Sequence, residues 1–272
     1  MDAESLLSDL DYLSAVGITL STEQKASLQG SLVLLKSKEK FHSIVFWGKI
    51  SGIAGQYFIV QGRGKDPMKE RKNLYSYDCR KWAQLPVLDA TEQEKALKVH
   101  SRFMGDAAYE AEYVEPPVKE EKGDPINVVV REENRLAAIV NVIDETVFVV
   151  PRAAYVKTAQ ESVQKNGSFG GLSRAKAGLL SSYLHFREPV LLQNKTLLQR
   201  SNLDKSIDFM DSIDEDVPNG CWSLQMVRGG DTAVLKSLWW PGYVFFHMPG
   251  TKKYGGLYWG TGQQNRDLPF ML

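Results

Sequence analysis

Residues 43–62, SIVFWGKISGIAGQYFIVQG, decide the architecture of this 272-residue chain. Two runs rich in β-branched and aromatic residues, 43–50 and 55–62, flank the glycines of SGIAG. Strand formers on either side of a glycine turn predict a β-hairpin. Toward the N-terminus the period changes. Leu6, Leu10 and Leu13 recur at helical spacing, with Gly17 as a stop. A second helix starts at Ser21, where Gln24 three residues on completes a capping-box pattern. Leu28, Leu32 and Leu35 give that helix one apolar stripe. Residues 1–40 thus read as a helical hairpin, its stripes packed on this chain's own core or in a partner's groove. Residues 41–272 read as a mainly antiparallel sheet domain with interspersed helices.

Beyond the hairpin, RGKDPMKERK is charged and loop-like, and a strand is predicted around Leu74–Cys79. Thr91 with Glu94 offers a second capping box and a helix to about residue 101. The acidic, proline-bearing stretch 110–125 predicts a mobile surface loop. Ile126–Val130 and Val147–Val150 are continuous apolar runs, as in strands covered on both faces. Between them REENRLAAIVNVIDE fits helix or strand. Residues 173–186 predict a helix with Leu179, Leu180 and Tyr183 on one side. The last third predicts antiparallel β. Trp222, Leu224 and Met226 alternate with polar residues before an Arg228-Gly-Gly-Asp turn. Strands around Tyr243–Met248 and Leu257–Gly260 follow, joined through PGTKKYGG. The fold class is α+β.

Trp239 and Trp240 are neighbours, as are Phe245 and Phe246. Successive side chains of a strand point to opposite faces, so if these pairs lie in strands they place large aromatics on both faces of a sheet. One face can pack on the core; the other needs helices of this chain or another protein. Tyr258 and Trp259 enlarge the same surface. Trp239, Trp240, Phe245, Phe246, Tyr258 and Trp259 are therefore the candidate partner-contact residues.

Lys plus Arg equals Asp plus Glu at 33 each, for a formal net charge of zero. That disfavours coating nucleic acid or an anionic membrane, and near-zero net charge favours association. The N-terminal segment lacks signal-peptide character and no apolar run is long enough to span a bilayer. The chain reads as cytosolic, with Cys79 and Cys221 reduced. Asn166-Gly-Ser and Asn194-Lys-Thr are then chance matches to the glycosylation pattern. His42, His100, His185 and His247 are scattered, without a zinc-ligand spacing. Gly62-Arg-Gly64 lacks the third glycine of a dinucleotide fingerprint. Gly250 to Gly255 lacks the Lys-Ser/Thr of a phosphate loop, and residues 208–216 fail the EF-hand spacing. No cofactor, metal or catalytic residue is assigned. Two alternatives stay open: an enzyme with a site near His185, Arg187 and Glu188, and a peptide-binding module using a sheet edge.

FWGKISGIAGQYFIVQG, RFMGDAAYEAEY, YLHFREPVLLQNKTLL, LDKSIDFMDSIDED and the terminal NRDLPFML together resemble the radial spoke head family of motile cilia and flagella. The likeness runs over almost the whole chain and is most specific in 183–213 and 238–272. It implies a non-catalytic structural subunit of the axonemal radial spoke head, which meets the central-pair projections and helps control bending. It implies association with spoke head proteins 4 and 6 and with MORN-repeat head subunits. It carries no catalytic or cofactor residue to transfer.

Overall fold

In a computed structural model the described residues are 1–14, 16–115 and 126–271. Helices α1 (Leu6–Ser14) and α2 (Thr22–Lys38) precede the hairpin of β1 (Ser43–Ser51) and β2 (Gln56–Arg63). Then come β3 (Arg71–Ser76), β4 (Ala83–Gln84) and α3 (Ala90–Lys98). A ribbon of β5 (Glu110–Glu115) and β6 (Ile126–Arg131) leads into α4 (Glu132–Val147). The connecting region holds β7 (Val149–Pro151), β8 (Tyr155–Lys157), β9 (Val163–Lys165), α5 (Arg174–Ala177), β10 (Tyr183–His185) and α6 (Leu197–Ser201). The last strands are β11 (Trp222–Val227), β12 (Thr232–Ser237), β13 (Tyr243–His247) and β14 (Tyr254–Gly260). The fold is α+β.

The main sheet has eight strands in the order β11-β12-β13-β14-β1-β2-β3-β4. All neighbours are antiparallel except β1 and β14, which run parallel over Gly48–Ile50 and Tyr258–Gly260. This joint brings the two ends of the chain together. Gly48 makes it possible, with φ 144° at a bulge against β2. A Cβ there would lie 2.0 Å from the Tyr258 carbonyl oxygen. Below the joint the strands part, and Met1–Ala3 fill the gap. The Met1 amine donates to the carbonyls of Phe46 (3.0 Å) and Gly256 (3.3 Å), and Ala3 N–H donates to Ile44 O.

Helices cover both faces. On one, Leu6, Leu10 and Leu13 of α1 and Leu28, Leu32 and Leu35 of α2 share a core with Phe46, Phe58, Val60, Val244, Phe246 and Leu257. The Ser21–Gln24 capping box forms in both directions. On the other face Leu136, Val140, Ile143 and Val147 of α4 meet Trp47, Tyr57, Ile59, Tyr243, Phe245 and Tyr258. REENRLAAIVNVIDE is thus a helix. Glu132 opens it fully buried. Its carboxylate accepts from Tyr57 OH (2.6 Å) and from the backbone N–H groups of Met104 and Gly105, both at 2.7 Å.

Several local expectations fail for reasons of tertiary pairing. The segment 173–186 is no continuous helix. It breaks after Ala177, and Tyr183–His185 pair with Val149–Pro151, so a ladder replaces the last helical turns. Leu179, expected inside, is 55% exposed. The strand near residue 74 ends at Ser76, because Cys79 sits at φ 61° in a turn. Helix α3 is boxed by Asp89 and Glu92 rather than Thr91 and Glu94. Residues 110–115 form a strand instead of a loop, and 116–125 lie outside the described residues. Val147 ends α4 rather than opening a strand. In β6, Val130 packs with α3 and α4 while Val129 is 50% exposed. A two-stranded ribbon has one covered face, so that apolar run is not buried on both sides.

Candidate functional site

The six aromatic candidates separate into two groups. Trp240, Phe245, Phe246 and Tyr258 are buried within the chain. Phe246 stacks on Tyr12 of α1 with centroids 5.2 Å apart, and Phe245 meets the edge of Tyr183 at 5.7 Å. Tyr258 lies 5.5 Å from Trp47. The side chains of these four therefore offer no surface to a partner. Trp239 and Trp259 are half-buried. Lys49 Nζ sits 4.1 Å from the centre of the Trp259 ring, and the Trp239 carbonyl accepts from Asn265 N–H at 2.9 Å.

The apolar groups left in water lie elsewhere. Between β10 and β11 the chain makes an excursion of residues 187–207 in which no described side chain is buried. Leu197 and Leu198, on the single turn of α6, are 83% and 75% exposed, and Val190 is exposed beside them in sequence. The base of this arm is firmly built. The buried Asp211 carboxylate accepts from Val190 N–H at 2.7 Å and Leu191 N–H at 3.2 Å, with Arg187 Nη1 3.6 Å away. Asp208 takes a two-pronged contact from the Arg152 guanidinium at 2.5 and 2.6 Å. Thr196 caps α6 through a box with Gln199. A second exposed group is the C-terminal Phe270 (89%) and Met271, tethered by the buried Leu268. Sequence reasoning missed the arm because LLQNKTLL reads as core wherever its cover is unknown. Its signal was apolar residues inside a polar, turn-rich stretch.

The His185, Arg187 and Glu188 triplet does not converge. Nε2 of the buried His185 sits 2.9 and 3.0 Å from the two Asp216 oxygens. Trp222 Nε1 donates to the same carboxylate at 2.7 Å. Arg187 turns to Asp211, and Glu188 faces Lys69 at 3.8 Å. A cavity of about 340 Å³ beside them is lined by His185, Asp216, Cys221 and Trp239. Burial, then the charge of Asp216, pushes the Cys221 thiol up to about 11. Burial, then Asp78, pushes Cys79 up to about 12. A raised thiol pKa keeps the unreactive protonated form. Neither cysteine should therefore react with a thiol-directed disulfide reagent in the native protein at pH 8, and both should react after unfolding. Rapid native labelling of Cys221 would contradict that environment.

Among the described residues, no group of three or more His, Cys, Asp or Glu side chains is placed to hold a metal ion. No helix there is long and apolar enough to cross a membrane. β11 is an outer strand of the main sheet, six residues long and paired on one side with β12. That edge is the surface a peptide-binding module would use.

The described residues thus form a sheet covered on both faces, with an apolar arm left in water beside it. Residues 1–149 match the family model described as radial spokehead-like protein, and the chain belongs to that family. Over its whole length it is 48% identical to the radial spoke head protein 9 homolog of Danio rerio and 47% identical to that of Homo sapiens, covering 100% of each. The Bos taurus homolog is 46% identical with the same coverage.

Proposed function

We propose that the chain is a non-catalytic structural subunit of the axonemal radial spoke head in cilia and flagella. It docks to other head subunits, of the spoke head protein 4 and 6 type and the MORN-repeat type, and helps transmit central-pair signals that regulate motility. Full-length similarity to proteins named as radial spoke head protein 9 homologs carries this. The exposed arm supports it independently, since well-held apolar side chains in water mark an interaction surface. In this account the sheet is a rigid platform, and contact is made by groups outside its core: Leu197 and Leu198 first, with Trp239 and Trp259 as the half-buried aromatics beside other surfaces.

A double Leu197→Ser/Leu198→Ser change separates folding from assembly. Surface substitutions of this kind move stability by about 0.5 kcal/mol or less. The variant should melt like the wild type, yet a tagged copy expressed in ciliated cells should recover markedly less of the other spoke head proteins. Undiminished recovery would remove the arm as the contact. A wild-type tagged copy that failed to enter cilia would sink the proposed role itself.

A further inference from the structure

One cavity shares no lining residue with the proposed contact arm. It lies beside the split between β1 and β14 and encloses about 340 Å³, with Phe148, Tyr155, Phe169 and Tyr254 among its walls and Arg63 and Lys253 among its charges. Arg63, at the end of β2, is only 6% exposed. Its Nε donates to Gln61 Oε1 at 2.7 Å, and its guanidinium carbon sits 5.1 Å from the centre of the Phe186 ring. Among the described residues no carboxylate lies within ion-pair distance of it.

Two of the neighbouring cations are held in ion pairs. Arg71, 4.8 Å from the same Phe186 ring, is paired with Asp144. Lys165 pairs with Asp2. Lys253 bears electrostatically on the buried Asp9. Burial pushes the Met1 amine down to about 5, so it is neutral at pH 7. Asp2 and Asp9 also line the cavity, and Asp2 feels the charge of Arg63 as well as that of Lys165. Arg63, Lys165, Lys252 and Lys253 thus face two carboxylates, and Arg63 is the buried cation among them without an ion pair. A guanidinium cannot relieve its burial by losing a proton, and an unmatched buried charge is costly. Its fork pairs two oxygens of a carboxylate or phosphate at once. The aromatic walls add a surface for a flat or aliphatic body, in a volume within the range of small-ligand sites.

We propose that this cavity binds a small organic oxyanion, its carboxylate or phosphate on Arg63 and its apolar body against Phe169 and Tyr254. The site is independent of the assembly role. Calorimetric titration of the full chain with two probes, benzoate and inorganic phosphate, tests it. At least one should bind saturably at one equivalent in the millimolar range or tighter. Benzoate alone would identify a carboxylate with an apolar body; phosphate alone would identify a phosphate source. Arg63→Met should weaken binding at least tenfold while melting no lower than the wild type without ligand, because an unmatched charge has been removed. If that variant fails to fold, nuclear magnetic resonance on the wild type decides: the probe should shift the Arg63 side-chain N–H and the amides of Lys253 and Tyr254. Absence of saturable binding by either probe, unchanged affinity in Arg63→Met, or shifts confined to other surfaces would each overturn the proposal.

Discussion

Replacing either Phe245 or Phe246 by alanine is expected to destabilise the isolated chain by about 3–5 kcal/mol, the range for truncating a fully buried aromatic. The two residues are neighbours on β13 and face opposite sides of the sheet. Phe245 sits in the α4-side core with Trp47, Tyr183 and Tyr243. Phe246 sits in the other core, stacked on Tyr12 and surrounded by the leucines of α1 and α2. Both are fully buried without any partner present. Their losses in urea unfolding should therefore be similar, and neither should be rescued by adding spoke head proteins. A Phe246 variant as stable as the wild type would mean that α1 does not seal that face.

Gly48→Val is the second large expected effect, a loss of about 2–6 kcal/mol. A β-branched residue at φ 144° carries roughly 1–3 kcal/mol of backbone strain. The added side chain meets the Tyr258 carbonyl, whose oxygen would lie 2.0 Å from the new Cβ, and overpacking adds about 1–3 kcal/mol more. The clash is with backbone, so no rotamer relieves it. It falls on the parallel joint between β1 and β14, where the first and last strands of the sheet domain meet. The expected result is loss of the cooperative unfolding transition or its displacement to much lower urea. Gly30→Ala, at an open position on α2 where a Cβ meets nothing within 4 Å, serves as the control and should be neutral or stabilising.

How far the sequence exposes this architecture depends on the range of the interactions. The capping box at Ser21, the leucine stripes and the hairpin around SGIAG are local signals, and they form as expected. The two-faced aromatics were legible too, since alternation along a strand places Phe245 and Phe246 on opposite sides whatever covers them. The identity of the cover was not. It depends on REENRLAAIVNVIDE, whose mixed pattern fits helix and strand equally, and which is the helix that seals the Phe245 face. Local propensity misled at 173–186 because Tyr183–His185 find a ladder partner at Val149–Pro151, about 34 residues upstream in a β-pairing no local pattern encodes. The parallel β1–β14 joint is longer-range still. Of the candidate site, Trp239 and Trp259 keep some surface, whereas the leucines of α6 stand outside because Asp211 and Asp208 hold the arm's base and no described residue covers its tip.

Cross-linking mass spectrometry on intact axonemes tests the proposed role most directly. Both Lys195 and Lys205 lie within the arm; Lys205 is exposed, and Lys195 is paired with Glu215 at 2.7 Å. Cross-links from these lysines to other radial spoke head proteins are expected, together with intrachain links consistent with a helix-covered sheet. Axonemes in which the chain is present but its arm lysines link to no spoke head protein would contradict it.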